Sequence, residues 1–359
     1  MILICTVGII VVVALAILAA FMFLPRLQDR LFERLAARRL AAAPALALDD
    51  KSLQVYLCGT GSPMPDSSRA NTCTAIIAGG HIVLIDAGPG SWTRLAAARF
   101  PAHAIDTVLL THHHSDHIGD LGEVAVQSWI AGRRQPLDVK GPEGTLEVVN
   151  GFATAYTLDA GFREAHHDAC HMPPDAARMI PELIPTPAPG QFVPVYDRDG
   201  LRISAFLVDH HPIDPAFGFR AEYGGRVAIV SGDTTPVPNM VFASMGADVL
   251  IHEALNRSMV GMIASALAAT GDQRRSDMLT DTLDYHTSPG EAAEIARKAG
   301  VSLLVYNHIV PPLPNALARR MFMRGVKDIA GPVKTRIGED GLLIRLPQGT
   351  KEIETKDLL

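Results

Sequence analysis

Thr111-His112-His113-His114-Ser115-Asp116-His117 follows the apolar run Thr107-Val108-Leu109-Leu110, whose length and composition are those of a buried strand. His112, His114, Asp116 and His117 put three imidazoles and a carboxylate within six positions of a strand end. A polar surface turn rarely carries that set, whereas His and carboxylate donors suit Zn²⁺ and related ions. In a loop of this kind the alternate residues His112 and His114 point to one metal. Asp116 and His117 then turn toward a neighbouring position.

Four later segments repeat one pattern, an apolar strand that ends in a metal-binding residue type. They are Ala205-Phe206-Leu207-Val208-Asp209-His210, Val227-Ala228-Ile229-Val230-Ser231-Gly232-Asp233, Val249-Leu250-Ile251-His252-Glu253 and Leu303-Leu304-Val305-Tyr306-Asn307-His308. Any one of these polar residues alone reads as a cap or a surface group. Five segments together predict strand ends converging on one site, which is how α/β folds assemble a centre.

With these residues in place, Thr111 to His117 resembles the HxHxDH signature of the metallo-β-lactamase superfamily. Ser231-Gly232-Asp233-Thr234 is similar to its bridging-aspartate element, and Asn307-His308 to its last histidine. More narrowly, Gly59-Thr60-Gly61-Ser62-Pro63, Gly141-Pro142-Glu143-Gly144, Pro215-Ala216-Phe217-Gly218-Phe219 and Ile251-His252-Glu253-Ala254 resemble the tRNase Z and arylsulfatase-like branch. The likeness runs from about Leu53 to Leu346. It implies an α/β fold, an αββα sandwich, with the site at the edge of its two sheets. It also implies that His112, His114 and His210 hold one metal, that Asp116, His117 and His308 hold the other, and that Asp233 bridges both. The cofactor so implied is Zn²⁺, two per chain, with Mn²⁺ or Fe as alternatives. His210 is chosen over the adjacent His211 because the branch follows this histidine with x-Pro-x-x-Pro, which His211-Pro212-Ile213-Asp214-Pro215 supplies.

Two close metals make hydroxide available near neutral pH and clamp the oxygens of an ester centre. Asp116 both holds its metal and orients that hydroxide. His286, in Tyr285-His286-Thr287-Ser288-Pro289 just before a helix, is the expected proton donor to the leaving oxygen. By resemblance Glu253 is paired with it, and Asp86 supports the site without touching metal. His166, His167, Cys170 and His171 form a second cluster, read as the surface of a lid.

Composition bounds the substrate. Of 32 basic and 38 acidic side chains, five and four lie in the first 50 residues, which leaves 27 against 34 in the remainder. A protein that grips a polyanion usually shows the reverse. The region 144–196 also lacks the flexible basic arm with which the tRNase Z family grips tRNA. The expected substrate is therefore a phosphodiester, a sulfate ester or a similar small anionic ester, with nucleic acid disfavoured. A tRNA 3′-processing endonuclease is the alternative, lactam hydrolysis a weaker one, and a non-catalytic protein with a degenerate site a third. A homodimer is left open.

Before this domain, residues 1–24 carry no charged side chain and are dominated by Ile, Val, Leu, Ala and Phe. About 20 such residues span a bilayer, so an N-terminal transmembrane helix is expected over 1–24, with a helical stem over 25–50 and the hydrolase domain over 51–359. Arg26, Arg30, Arg34, Arg38 and Arg39 follow the span, which predicts a single-pass membrane protein with its catalytic part on the cytoplasmic side. The spacing of Cys5, Cys58, Cys73 and Cys170 predicts neither disulfides nor a structural zinc. Within the domain a helix is expected over 145–158, a Pro-rich loop or lid over 173–194, a single helix over 315–329 and a hairpin about Asp340-Gly341.

Overall fold

The structure is a computed structural model that describes residues 2–41, 46–48 and 50–359. The chain divides into two compact units, Met1–Ala45 and Leu46–Leu359.

The first unit holds the helices Ile2–Phe23 and Pro25–Ala41. Here the membrane expectation is corrected. Among the described residues no helix is long and apolar enough to cross a membrane. The single-pass placement with a cytoplasmic catalytic part rested on that span and falls with it.

Among its described residues the second unit has fifteen strands. They are β1 (Ser52–Gly59), β2 (Cys73–Ala78), β3 (His81–Ile85), β4 (Ile105–Leu109), β5 (Leu137–Gly141), β6 (Met179–Leu183), β7 (Val193–Arg198), β8 (Leu201–His210), β9 (Ile213–Tyr223), β10 (Arg226–Val230), β11 (Val249–Leu255), β12 (Leu303–Val310), β13 (Lys334–Ile337), β14 (Leu342–Pro347) and β15 (Glu354–Asp357). One sheet runs β15-β14-β1-β2-β3-β4-β5-β6 and the other β13-β12-β11-β10-β9-β8-β7. Successive side chains on a strand face opposite ways, and on β1 both faces are apolar. Leu53, Val55 and Leu57 enter the core between the sheets with Phe217, Phe219, Val230, Ile251 and Val305. Tyr56 and Cys58 face the other way, beneath Leu95, Leu121, Val124 and Val149 of the outer helices. The helix Pro289–Ala299 covers the outer face of the second sheet with Ala292, Ala293 and Ala296. Four layers result, αββα, as the resemblance implied.

Several local expectations change. Residues 145–171 are helical as Thr145–His171, well beyond the expected end, with a kink at Asp168 (φ 62°) and with His166, His167 and His171 exposed on either side of it. The Pro-rich stretch is less of a loop than expected, because β6 pairs with β5 and β7 with β8. Both are edge strands, where Pro181 and Pro194 cost no central ladder bond, so their prolines masked them. Gly325, at φ 78°, splits the expected helix 315–329 into Ala316–Phe322 and Val326–Ala330. Asp340-Gly341 is no hairpin. β13 pairs with β12 in one sheet and β14 with β1 in the other, so this turn carries the chain between sheets. The strand β9 and the helices Arg257–Ala269 and Gln273–Asp281 were not foreseen.

Cys58 and Cys73 form a disulfide, against expectation. Pairing of β1 with β2 brings their Cα atoms to 5.0 Å, and it is this register, which spacing alone does not reveal, that makes the bond.

Buried Arg226 joins β10 to the chain end. Its Nε donates to Asp248 Oδ2 at 3.1 Å, and its Nη1 donates to the carbonyls of Pro347 and Glu352 at 2.8 and 3.0 Å. Removing one partner of a buried pair leaves the other charge uncompensated. Arg226→Leu is therefore expected to destabilise the domain by about 3–5 kcal/mol. The double variant with Asp248→Leu should recover much of that loss in the same thermal melt, and a single variant that melts with the wild type would refute the assignment.

Candidate metal centre

Loops at one edge of the sandwich bring the predicted residues together. His112, His114, Asp116 and His117 follow β4, His210 ends β8, Asp233 lies three residues beyond β10 and His308 sits within β12. Donor atoms of His112, His114, His210 and Asp233 lie within 4.8 Å of one another, as do those of Asp116, His117 and His308. Asp233 Oδ2 is central. It is 3.3 Å from His117 Nε2, 3.3 Å from His308 Nε2, 3.8 Å from His210 Nε2 and 4.0 Å from His112 Nε2. His308 Nε2 is 3.1 Å from Asp116 Oδ2, and His112 Nε2 is 2.9 Å from His114 Nδ1. A tetrahedral ion with bonds near 2.0–2.1 Å has ligand–ligand edges of about 3.3 Å, so these separations fit two adjacent cations.

Hydrogen bonds set the tautomers. His117 Nδ1 donates to Asp86 Oδ2 at 2.8 Å, and His210 Nδ1 donates to the Tyr285 carbonyl at 3.0 Å. Each bond leaves Nε2 as the free donor atom, the arrangement in which a metal-binding histidine is oriented from behind. His117 Nε2, His210 Nε2 and Asp233 Oδ1 are buried with no hydrogen-bond partner among the described residues. Buried polar atoms are normally satisfied, so these orphans fit a bound cation. Asp86 also accepts from the Thr111 N–H at 2.9 Å, which fixes the start of the loop. Gly88 packs so tightly on the loop that a Cβ there would lie 2.1 Å from the Asp116 carbonyl oxygen. Two residues near the centre are strained, Asp86 at φ 61° and His308 at φ 43°.

Electrostatics follow burial and proximity. Burial pushes His112 well below the usual imidazole range, and pushes His114 and His210 down as well. Burial also acts on His117, but Asp233 and Asp86 outweigh it and hold this ring well above its ordinary value. In the same way burial would raise Asp233, yet His308 and His117 hold it well below the carboxylate range.

His286 lies beside this group, with donor atoms within 4.8 Å of those of Asp233 and His308. Its Nδ1 donates to Glu253 Oε1 at 3.2 Å, the oxygen that also accepts from the Thr287 N–H at 2.8 Å. Nε2 is left as the nitrogen open to a substrate. His113 turns away, with Nε2 3.0 Å from Thr145 Oγ1, and His211 is exposed. Fully buried His252 lies outside the group. A cavity of about 80 Å³ opens onto the centre, and Met64, Leu255, Leu279, Tyr285 and Val310 supply its less polar wall. None of these was foreseen, since apolar side chains carry no chemical signature in a sequence.

The model of the β-lactamase superfamily domain matches residues 81–309. Ribonuclease Z of Mycolicibacterium paratuberculosis (strain ATCC BAA-968 / K-10) is 38% identical over 291 residues, 80% of this chain and 96% of the relative. Ribonuclease Z of Mycobacterium marinum is 39% identical over 264 residues, 73% of this chain and 88% of that one. Among solved structures, human tRNase Z, short form, matches with a TM-score of 0.56 at 22% identity, covering 82% of this chain and 99% of that one. The metallo-β-lactamase fold protein YhfI from Bacillus subtilis matches with a TM-score of 0.57 at 18% identity and the same coverage. These structures establish the fold. The relatives support the tRNase Z side of the resemblance and lend nothing to the arylsulfatase side. With the fold, the donor groups and these relatives in agreement, the chain belongs to the metallo-β-lactamase superfamily and is a metal-dependent hydrolase acting on ester bonds.

Proposed function

We propose that the chain is an endonuclease of the ribonuclease Z type, cutting a phosphodiester on the 3′ side of precursor tRNA with two zinc ions held by His112, His114, His210, Asp116, His117 and His308 and bridged by Asp233. The observation that carries the substrate is the 38% identity over 96% of a ribonuclease Z. The expectation that nucleic acid is disfavoured gives way to it. An acidic overall balance describes the whole surface, whereas a polyanion needs a favourable field only where it binds.

Two cations held by these residues would supply hydroxide near neutral pH and would neutralise charge on the phosphate oxygens. The chain's own groups do the rest. Asp116 faces the cavity and orients the attacking oxygen. His286, held by Glu253, gives a proton to the leaving oxygen. Burial of His117, Asp233 and Glu253 keeps competing water away from these charges.

The test compares chelated and zinc-reloaded protein on a precursor tRNA with a 3′ trailer and on an aryl phosphodiester. Cleavage at the 3′ side that disappears on chelation and returns with zinc supports the proposal. Turnover of the aryl ester beside intact tRNA would restore the small-ester reading, to which a cavity of about 80 Å³ is also suited.

A further inference from the structure

The cavity at the metal centre has two unlike sides. Its floor is made of the carboxylates and imidazoles already described, with Asp116, Asp233 and His308 facing it. Its rim is a small apolar cluster in which Met64 and Leu279 pack partly exposed on buried Leu255 and Val310. Tyr285 stands at the junction of the two. Its ring centroid is 5.2 Å from that of His210 and 4.8 Å from that of His286. Its carbonyl accepts from His210 Nδ1, so its backbone is pinned to the centre. The side chain itself is only half-buried.

A floor of donors and charges takes a phosphate. It does not explain why an aromatic ring, a thioether and a leucine line the way in. A rigidly held aromatic face beside apolar surface is how proteins hold a flat base, since every nucleobase has a π-face. We propose that Tyr285, with Met64 and Leu279, forms a stacking subsite for the nucleobase that flanks the reacting phosphate, and so makes this hydrolase prefer nucleoside esters over simple alkyl ones. The inference rests on the phosphodiesterase chemistry proposed above but not on tRNA as its target. Tyr285 is then a specificity-determining residue that touches substrate, and its backbone contact to His210 survives any substitution.

Thymidine 5′-p-nitrophenyl phosphate and methyl p-nitrophenyl phosphate share a leaving group and differ in whether a base is present. The ratio of their kcat/KM values is measured for zinc-loaded wild type, Tyr285→Phe, Tyr285→Leu and Tyr285→Ala in the full chain. The wild type is expected to favour the nucleoside ester, Tyr285→Phe to keep that preference, and the Leu and Ala variants to lose roughly tenfold or more of it. Tyr285→Leu retains bulk without a π-face and carries the comparison should Tyr285→Ala fold poorly. A role confined to positioning His210 or His286 would slow both esters alike. An unmoved ratio, or a wild type without preference, therefore overturns the subsite. A preference that depends on Tyr285 beside uncut precursor tRNA would sink the ribonuclease Z reading and leave the subsite standing.

Discussion

Asp233→Ala is expected to lower kcat/KM on an aryl phosphodiester by on the order of 10³-fold or more, with loss of bound metal. Its Oδ2 lies within 4.0 Å of nitrogens on His112, His117, His210 and His308, so it is the one anionic group shared by both donor sets. Without it, four buried imidazoles face one another with only Asp116 to balance the charge of two cations. Asp233→Asn keeps the shape and removes the charge, so it separates electrostatics from packing and should be nearly as inactive. Metal content by plasma mass spectrometry, read beside activity, decides the matter. A variant that keeps two metals and wild-type turnover would remove Asp233 from the centre and with it the division of ligands proposed here.

His286→Ala tests a different step. As donor to the leaving oxygen it is worth about 10²–10⁴ in kcat where that oxygen is a poor leaving group, as the ribose oxygen of an RNA chain is. A p-nitrophenolate leaves without help, so the same variant should lose far less on an aryl ester. Metal content should stay at the wild-type level, and Glu253→Gln, which weakens the hold on Nδ1, should reproduce part of the effect. His286 also lies within 4.8 Å of the donor atoms of Asp233 and His308. Equal losses on both substrates, together with lost metal, would reassign it from proton donor to ligand.

The centre was legible because its chemistry is written in residue types that are costly to bury. His112, His114, Asp116 and His117 stand out behind an apolar strand, and His210, Asp233 and His308 each repeat that placement. The αββα layering was reachable through the same residues. What sequence could not show depends on register and surroundings. The Cys58–Cys73 bond exists because two strands align, and β6 and β7 were hidden by prolines that only an edge tolerates. Tyr285 and Met64 look like any core residue until the fold sets them at the mouth of a charged cavity. Residues 1–24 were read for length and apolarity alone, and the described residues do not amount to a span.

The donors of the centre come from both sheets, with His112 and His117 behind β4 of one and His210 and His308 on β8 and β12 of the other. Occupancy is thus a report on assembly, since neither sheet alone carries a complete set. A cation seated between them acts as a removable crosslink, and its free energy of binding is drawn from the same reservoir as folding. At a free concentration a hundred times its Kd, one such ion adds about 2.7 kcal/mol to the stability of the folded domain. On the ligand set proposed above, chelation is therefore expected to lower the melting temperature of the domain together with its turnover, and an unchanged melt would remove the ions from the fold's stability.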